Sequence, residues 1–576
     1  MRIRTTKTKN TTQYAIIYDT NINGKRSTKI YENLGTIDKI KLRSGNTDPL
    51  VWLNNYVNEL NNKIKENTLP KIIKKYPNKV INKYINNLFN VGYLFLQKIY
   101  YDLKINDICN TISDKYQFKF DLNDILSKLI FGRIIYPSSK LKTFEESKKF
   151  LEGPNFQYHH IGRALEKLCL ESDFIQSELY KNTNNYSPRN NKILYYDLTN
   201  FFFEVEQEDN LRKYGVSKEH RPNPIVQFGL FMDGDGIPLA CDINPGNTNE
   251  NITLKPLEKK IINDFDLSKV VVCTDAGLAS IANRKFNNTN NRRFITTQSI
   301  KKLKEEYKSW ALDKNGWKIH NIPNKVIDIS KLFTDDELAL KWKDTTFYKE
   351  RWINDNGLEQ RIIITFSLKY KNYQEKIRQG QINRAQKLID SNPKKIGKYK
   401  QNDYKRFINN IITTENGEIA ENNNYSINQK VIDEESKYDG FYAVCTNLED
   451  DVSSIVKVNH QRWEIEESFR IMKSEFKTRP VHLSREDRIK AHFLTCFLAL
   501  IVYRYLEKKL DCKYTSTEII ETLQNMNMNE EKGYGYCPNY TRDDITDDLH
   551  EKFKFRTDYE IIDYKNMKKI CKQTKS

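Results

Sequence analysis

At 576 residues the chain is long enough for several domains and a large buried core, and 34 tyrosines with 28 phenylalanines argue against disorder. Its 94 basic against 76 acidic residues leave +18, a balance that points to a polyanionic partner even after discounting heavy lysine, asparagine and isoleucine use. Nine cysteines, scattered and never in a C-x-x-C pair, give no zinc framework or disulfide lattice and fit a reducing cytoplasm.

In chain order, MRIRTTKTKNTTQY carries no apolar core of a signal peptide. Alternation in YAIIYD and TKIYENLG around a NINGK turn predicts a small β unit over residues 1–50. Residues 51–190 are helical in pattern: WLNNYVNELNNKIKE, VGYLFLQKIYYDL, DILSKLIFGRIIYPSSK and IGRALEKLCLES, with Pro137 ending the third and a linker over Asn184 to Asn191.

At 193 the period changes. ILYYDLTNFFFE is a β-rich run, IVQFGLFMDGDGIPLACDI reads as two strands around MDGDG, KVVVCTDAGLAS as a strand running into a helix start, and RRFITTQS as a short strand. Together they give an α/β order and the first part of an α/β domain over 191–300. Residues 301–435 lose the helical repeat and read as a β-rich insertion. It holds QRIIITFSLKYKN, the basic helix YQEKIRQGQINRAQKLID and a SNPKKIGKYK turn.

From YDGFYAVCTN the α/β pattern resumes, over 436–510, and 511–576 is a mixed C-terminal region offering a dimerisation surface. AHFLTCFLALIVY (491–503) is too short to span a bilayer and predicts a buried helix, so no membrane partner is expected.

NHQRWEIEESFRIMKSEF (459–476) predicts one helix, without Gly or Pro. Val458, Ile465, Phe469, Met472 and Phe476 form its apolar stripe, near −90° when Glu466 is the zero of angle. Arg462 then falls at about −40° and Lys473 at about −20°, a charged row on the shoulder of the buried face. The plain alternative is an Arg462–Glu466 pair at i,i+4 on an ordinary amphipathic helix.

Asp197 lies among Tyr195, Tyr196, Leu198 and Phe201 to Phe203, so its carboxylate needs a cation or a hydrogen-bond cage. Asp275 closes the VVVCT strand, where it is either a ligand at a strand's carboxyl end or a helix N-cap. If Asp197, Asp275 and Glu466 converge, their repulsion calls for a divalent cation, and hard oxygen donors favour Mg²⁺ or Mn²⁺. Two such ions, about 3.5–4 Å apart, suit an in-line phosphoryl displacement, with Arg462 and Lys473 holding DNA phosphates.

These stretches resemble a DDE transposase of a bacterial insertion sequence, in the insertion-sequence-four group with its Tyr-(2)-Arg-(3)-Glu-(6)-Lys signature. Arg462, Glu466 and Lys473 match at those spacings, and Asn459 stands where the signature has tyrosine. YYDLTNFFFE and CTDAGLAS resemble the two aspartate segments. GVSKEHRPNPIVQFGLFMDGDGIPLACDINPGNTNE, GRIIYPSSK and RPVHLSREDRIKAHF add to the likeness, which spans roughly 125–505.

The resemblance implies a ribonuclease H-like catalytic domain with a β-rich insertion, and makes the helical region 51–190 the candidate for terminal-repeat DNA recognition. It implies Asp197, Asp275 and Glu466 as catalytic ligands of two Mg²⁺ ions. It implies cleavage at the element's terminal inverted repeats followed by joining to target DNA, and a synaptic homodimer on double-stranded DNA, nucleoid-associated in the cytoplasm. A nuclease of the same fold without strand transfer, and a transposase-derived DNA-binding protein without catalysis, remain open alternatives.

Five plainer expectations complete the reading. Lys218, His220 and Arg221 are either a DNA-backbone contact or a solvated loop. His159–His160 is a surface or N-terminal helix pair, and Trp463 is packing rather than base stacking. The basic helix carrying Lys376, Arg378, Arg384 and Lys387 either tracks DNA or, as the spread of its charges favours, presents a solvated face, and the MDGDG aspartates serve a turn.

Overall fold

The computed structural model describes residues 1–576 except 10, 23–24, 66–69, 71–72, 74, 76, 79, 82, 290, 320–321, 392–402 and 414–418. The centre of the NINGK turn and nearly all of the SNPKKIGKYK turn therefore lie outside the described residues. Two compact units emerge. One comprises Met1–Asn106, Phe118–Tyr158 and Tyr505–Ser576, the other Asp107–Gln117 and His159–Arg504.

The first unit opens with a three-stranded antiparallel sheet, Arg2–Lys7, Thr12–Ile22 and Lys25–Thr36, followed by helices Ile37–Ser44 and Pro49–Lys65. Its second sheet joins distant parts of the chain. Leu88–Asn90 pairs antiparallel with Asn527–Glu531, which pairs with Gly535–Pro538. The buried Asn90 side chain donates to the carbonyl of Leu523, tying the two segments together.

The second unit is mixed α/β, built on a ten-stranded sheet. In chain order its strands are β1 (Ile193–Phe202), β2 (Ile225–Asp233), β3 (Pro238–Pro245), β4 (Val270–Thr274) and β5 (Arg292–Gln298). They continue with β6 (Trp317–Ile319), β7 (Ile322–Ile327), β8 (Phe347–Asp355), β9 (Leu358–Phe366) and β10 (Phe441–Thr446). The spatial order is β7-β6-β8-β9-β10-β5-β4-β1-β2-β3. β1, β4 and β5 run parallel, whereas β2 pairs antiparallel with β1, and β3 antiparallel with β2.

Helix α1 (Glu250–Asp264) connects β3 to β4, and α2 (Ile281–Phe286) connects β4 to β5. The segment expected as an insertion is not a separate sheet, because β6 to β9 extend the central sheet beyond β10. Ile408–Thr413 and Ile419–Ile427 form a separate ribbon, beside helix α3 (Leu368–Ser391).

Both faces of β1 are covered, so the whole strand is buried apart from its first residue. Leu194, Tyr196 and Leu198 face the cluster that includes Leu254, Leu257 and Ile261 of α1. The odd positions face the other way. There the hydroxyl of Tyr195 donates to the Val458 carbonyl of helix α4 (Val452–His460) and lies 3.2 Å from Gln461 Oε1.

The expected single helix over 459–476 is instead three pieces: the end of α4, helix α5 (Trp463–Arg470) and a π-helical turn at Ile471–Glu475. Its apolar stripe is core all the same. Ile465, Phe469, Met472 and Phe476 are buried, each contributing about 1.5–3 kcal/mol. Helix α6 (Glu486–Lys509) is long and apolar enough to cross a membrane, but 94% of its apolar window is buried inside the protein.

The stretch expected as a linker is anchored. Arg189 Nε meets Asp233 Oδ2 at 2.6 Å, both side chains almost fully buried, and its other nitrogens donate to Thr183 and to the carbonyls of Ile237 and Pro238. Asp233 Oδ1 accepts from the amides of Asp235 and Ile237, with Gly236 at φ +76°, so the MDGDG aspartates serve a turn as expected.

Candidate active site

Asp197 projects from the middle of β1, on the face covered by α4 and α5. It is 8% exposed, and its Oδ1 accepts from the Leu198 amide at 2.7 Å. Burial pushes this carboxyl up to about 6. Lys218 pulls it down, Asp275 raises it further, and Arg462 also lowers it. A buried carboxylate with an acidic neighbour is the electrostatic condition that a bound cation relieves.

Asp275 follows β4 directly. Its Oδ1 accepts from the Leu278 amide, and its carbonyl accepts from the Thr296 hydroxyl. The N-cap of α2 is Ser280, so Asp275 closes a turn ahead of the helix instead of capping it. Gly277 leaves an opening here. A Cβ on it would lie 3.3 Å from Asp275 Oδ1 and 3.4 Å from Glu250 Oε2, so two carboxylates flank one small space.

Glu250, the first residue of α1, was not singled out from sequence. Nothing in NPGNTNE beyond the Asn249 cap marks it, because its neighbours come from other elements. Lys218 Nζ stands 4.0 Å from Glu250 Oε1 and also donates to the Leu198 carbonyl on β1. Asn200 fixes the loop carrying Lys218 by bonding the Lys218 amide and the Val216 carbonyl. Lys218 is thus part of the acidic cluster, while His220 and Arg221 are exposed.

Arg462 occupies the break between α4 and α5. Its Nη1 lies 3.8 Å from Asp197 Oδ2 and 3.1 Å from Glu466 Oε1, so one nitrogen serves both carboxylates. Burial works against its charge, and Asp197 and Glu466 outweigh that effect. Glu466 remains 59% exposed at its side chain.

Among the described residues, no three acidic, histidine or cysteine side chains stand close enough together to hold a metal ion. As they stand, Asp197, Asp275 and Glu466 do not form such a group. Asp197 and Asp275 are neighbours, and Glu466 is drawn onto Arg462 by an i,i+4 ion pair.

Lys473 leaves the charged row. The π turn inserts extra backbone between Arg470 and Phe476, and Lys473 Nζ points to Glu219 Oε1 at 3.4 Å instead of toward Glu466. Arg479 holds the other oxygen of Glu219 at 2.7 Å. Burial lowers the Lys473 ammonium below its usual range, and Glu219 opposes that. Neither Glu219 nor Arg479 carries a sequence signal, since their pairing depends on a loop folding back across β1.

Trp463 corrects another expectation. It is 56% exposed, on the outer side of α5, and so is not core packing. His159 and His160 meet edge to face at the start of helix Tyr158–Leu170, as expected. Lys376, Arg384 and Lys387 of α3 are exposed, whereas Arg378 forks onto Asp439.

Residues 203–502, more than half of the chain, match the family described as "Transposase DDE domain". The chain belongs to the transposase DDE domain family. Within this transposase domain fall Asp275, Arg462, Glu466 and Lys473, together with Lys218, Glu219 and Glu250, whereas Asp197 stands just ahead of the matched segment.

No curated protein matches the chain. Among solved structures, the piggyBac transposase synaptic complex with hairpin DNA aligns at 9% identity and a TM-score of 0.35, covering 84% of this chain and 85% of that one. The Mos1 transposase paired-end complex with left transposon end aligns at 10% identity and a TM-score of 0.14, covering 39% and 62%.

Proposed function

We propose that this transposase-family chain is a working DNA transposase of a bacterial insertion sequence, allied to the insertion-sequence-four group. It would cut the element at its terminal inverted repeats and join the freed ends to target DNA. The observation that carries this reading is the cluster around Arg462 inside a transposase DDE domain: one guanidinium between Asp197 and Glu466, with Asp275 beside Asp197. The strand order β3-β2-β1-β4-β5, with β2 antiparallel to β1 and with β1, β4 and β5 parallel, supports a ribonuclease H-like core.

DDE transposases usually work with divalent ions, and the donor set here fits a hard cation such as Mg²⁺ or Mn²⁺. Asp197 and Asp275 would hold it as they stand, and Glu466 would join on leaving Arg462. Two such ions would activate the attacking oxygen and stabilise the leaving one.

The chain's own residues then have separate roles. Burial and the Leu198 amide fix the Asp197 carboxylate in direction. Arg462 holds the acidic pair together in the absence of DNA and is freed for a phosphate oxygen as Glu466 turns away. Lys473 engages DNA phosphate by exchanging Glu219 for it, a contact that positions the strand without reading its sequence. Two copies acting on paired ends in the cytoplasm, at the nucleoid, complete the proposal.

The test is a cleavage and joining assay on DNA from the flanks of the coding sequence, with and without Mg²⁺. Mg²⁺-dependent cuts with joined product support the reading. Cuts without joining favour the nuclease alternative, and binding without cuts favours the DNA-binding one.

A further inference from the structure

Asn459 stands at the one position where the Arg-Glu-Lys spacing lacks its tyrosine, and it is 3% exposed, so it cannot touch DNA. Its polar groups are spent inside the protein. Asn459 Nδ2 donates to the hydroxyl of Tyr442 at 2.8 Å, and its Oδ1 lies 3.5 Å from the Thr297 hydroxyl, a long contact. Thr297 Oγ1 is itself 2.8 Å from the Tyr442 hydroxyl.

Tyr442 comes from β10, not from the helix. Its ring lies almost parallel to His460, with centroids 6.1 Å apart, and the residue is half-buried. The segment that anchors it also carries Arg462, whose amide donates to the Asn459 carbonyl, and Tyr442 and Arg462 are within electrostatic range. Beyond it, Tyr370 and Tyr373 of α3 are exposed, and Tyr370 also lies within electrostatic range of Tyr442.

Hydrogen-bond accounting gives this phenol a direction. Its oxygen accepts from Asn459, so its single proton is left to donate, either to Thr297 or to an incoming acceptor. Thr297 has Asn459 Oδ1 as an alternative partner, so the Tyr442 proton can be released without leaving a buried group unmatched. A rigid neutral donor beside a guanidinium suits one ligand chemistry above others, a phosphate oxygen.

We infer that Tyr442, oriented by Asn459, is a phosphate ligand for the DNA strand entering the carboxylate site. This rests on the transposase reading. Asn459 is then a positioning residue that acts through Tyr442, and the phenol reaches the DNA from the sheet instead of from the helix.

The experiment pairs protein variants with single methylphosphonate substitutions, which remove one phosphate charge at a time. The probe is a duplex from the flank of the coding sequence, ending in a free 3′-OH. Wild-type protein is expected to lose about fivefold to tenfold in affinity when one particular phosphate near that end is replaced. Tyr442→Phe should be insensitive at that same phosphate and keep wild-type sensitivity elsewhere. Asn459→Ala should lose part of the same coupling.

If Tyr442→Phe keeps every wild-type sensitivity while wild type cuts the duplex, this inference fails alone. If wild type neither binds nor cuts the duplex, the transposase reading fails and takes the inference with it.

Discussion

Arg462 reaches Asp197 across the groove between α5 and β1, Nη1 to Oδ2 at 3.8 Å, while the same nitrogen holds Glu466 at 3.1 Å. Such a guanidinium both neutralises the acids and occupies the space between them. Arg462→Ala should lower DNA cleavage by about 100-fold or more, a loss typical of a group that stabilises charge in a dry site. It should also move the acidic limb of the pH–rate profile upward, because Arg462 is one of the groups lowering the Asp197 pKa. An unmoved limb would place Arg462 outside the influence of Asp197.

Asp197 also makes a prediction about stability. Its carboxyl stands at about 6 in the folded chain against an ordinary value of 3.8. Between those values the folded state binds more protons than the unfolded state, so stability falls as pH rises through the window. Above about 6 the cost is fully present, on the order of 2–3 kcal/mol, and below about 4 it is absent. Asp197→Asn should therefore be more stable than wild type at pH 7.5 and equal to it near pH 4, in metal-free urea titrations. Equal stability at both pH values would contradict the account.

Glu219 makes the opposite kind of prediction, about DNA. It neutralises Lys473 and Arg479, the two cations nearest the end of the charged helix. Glu219→Gln should free both, tighten DNA binding several-fold at low salt, and steepen the salt dependence by about one phosphate contact. Lys473→Ala should flatten that dependence by about one charge. Filter binding over a salt series reads both slopes, and identical slopes for all three proteins would show that Lys473 never meets DNA.

The Arg189–Asp233 pair is a structural feature, almost fully buried. Arg189→Met leaves Asp233 charged with no cation, and should cost about 3–5 kcal/mol in urea unfolding. A loss under 1 kcal/mol would mean that the amides of Asp235 and Ile237 suffice to hold the carboxylate.

Much of the sheet was legible because its signal is local. Alternation and turn residues place β1 to β5 and β10, and the i,i+4 spacing foretells the Arg462–Glu466 pair. What was not legible depends on partners far along the chain. All of 459–476 are acceptable helix formers, yet the helix breaks at Gln461 and Arg462, where Tyr195 of β1 bonds the Val458 carbonyl and lies against the Gln461 side chain. Arg504 of α6 then holds the Glu464 carbonyl and the Ser468 hydroxyl just before the π turn.

The same reason hides Glu219, Glu250 and Tyr442, whose neighbours come from other strands and loops, and the pairing of Leu88–Asn90 with Asn527–Glu531. Trp463 misled in another way. Its helical angle puts it away from the apolar stripe, which is where the structure leaves it, exposed.

The central claim is that Asp197, Asp275 and Glu466 share divalent ions once Glu466 leaves Arg462. Anomalous diffraction from the protein bound to its DNA end and Mn²⁺ tests this most directly. The account predicts manganese bound to oxygens of Asp197, Asp275 and Glu466, with the Arg462–Glu466 contact broken. Manganese absent from these three residues in a complex that cleaves its DNA, with Glu466 still on Arg462, would contradict it.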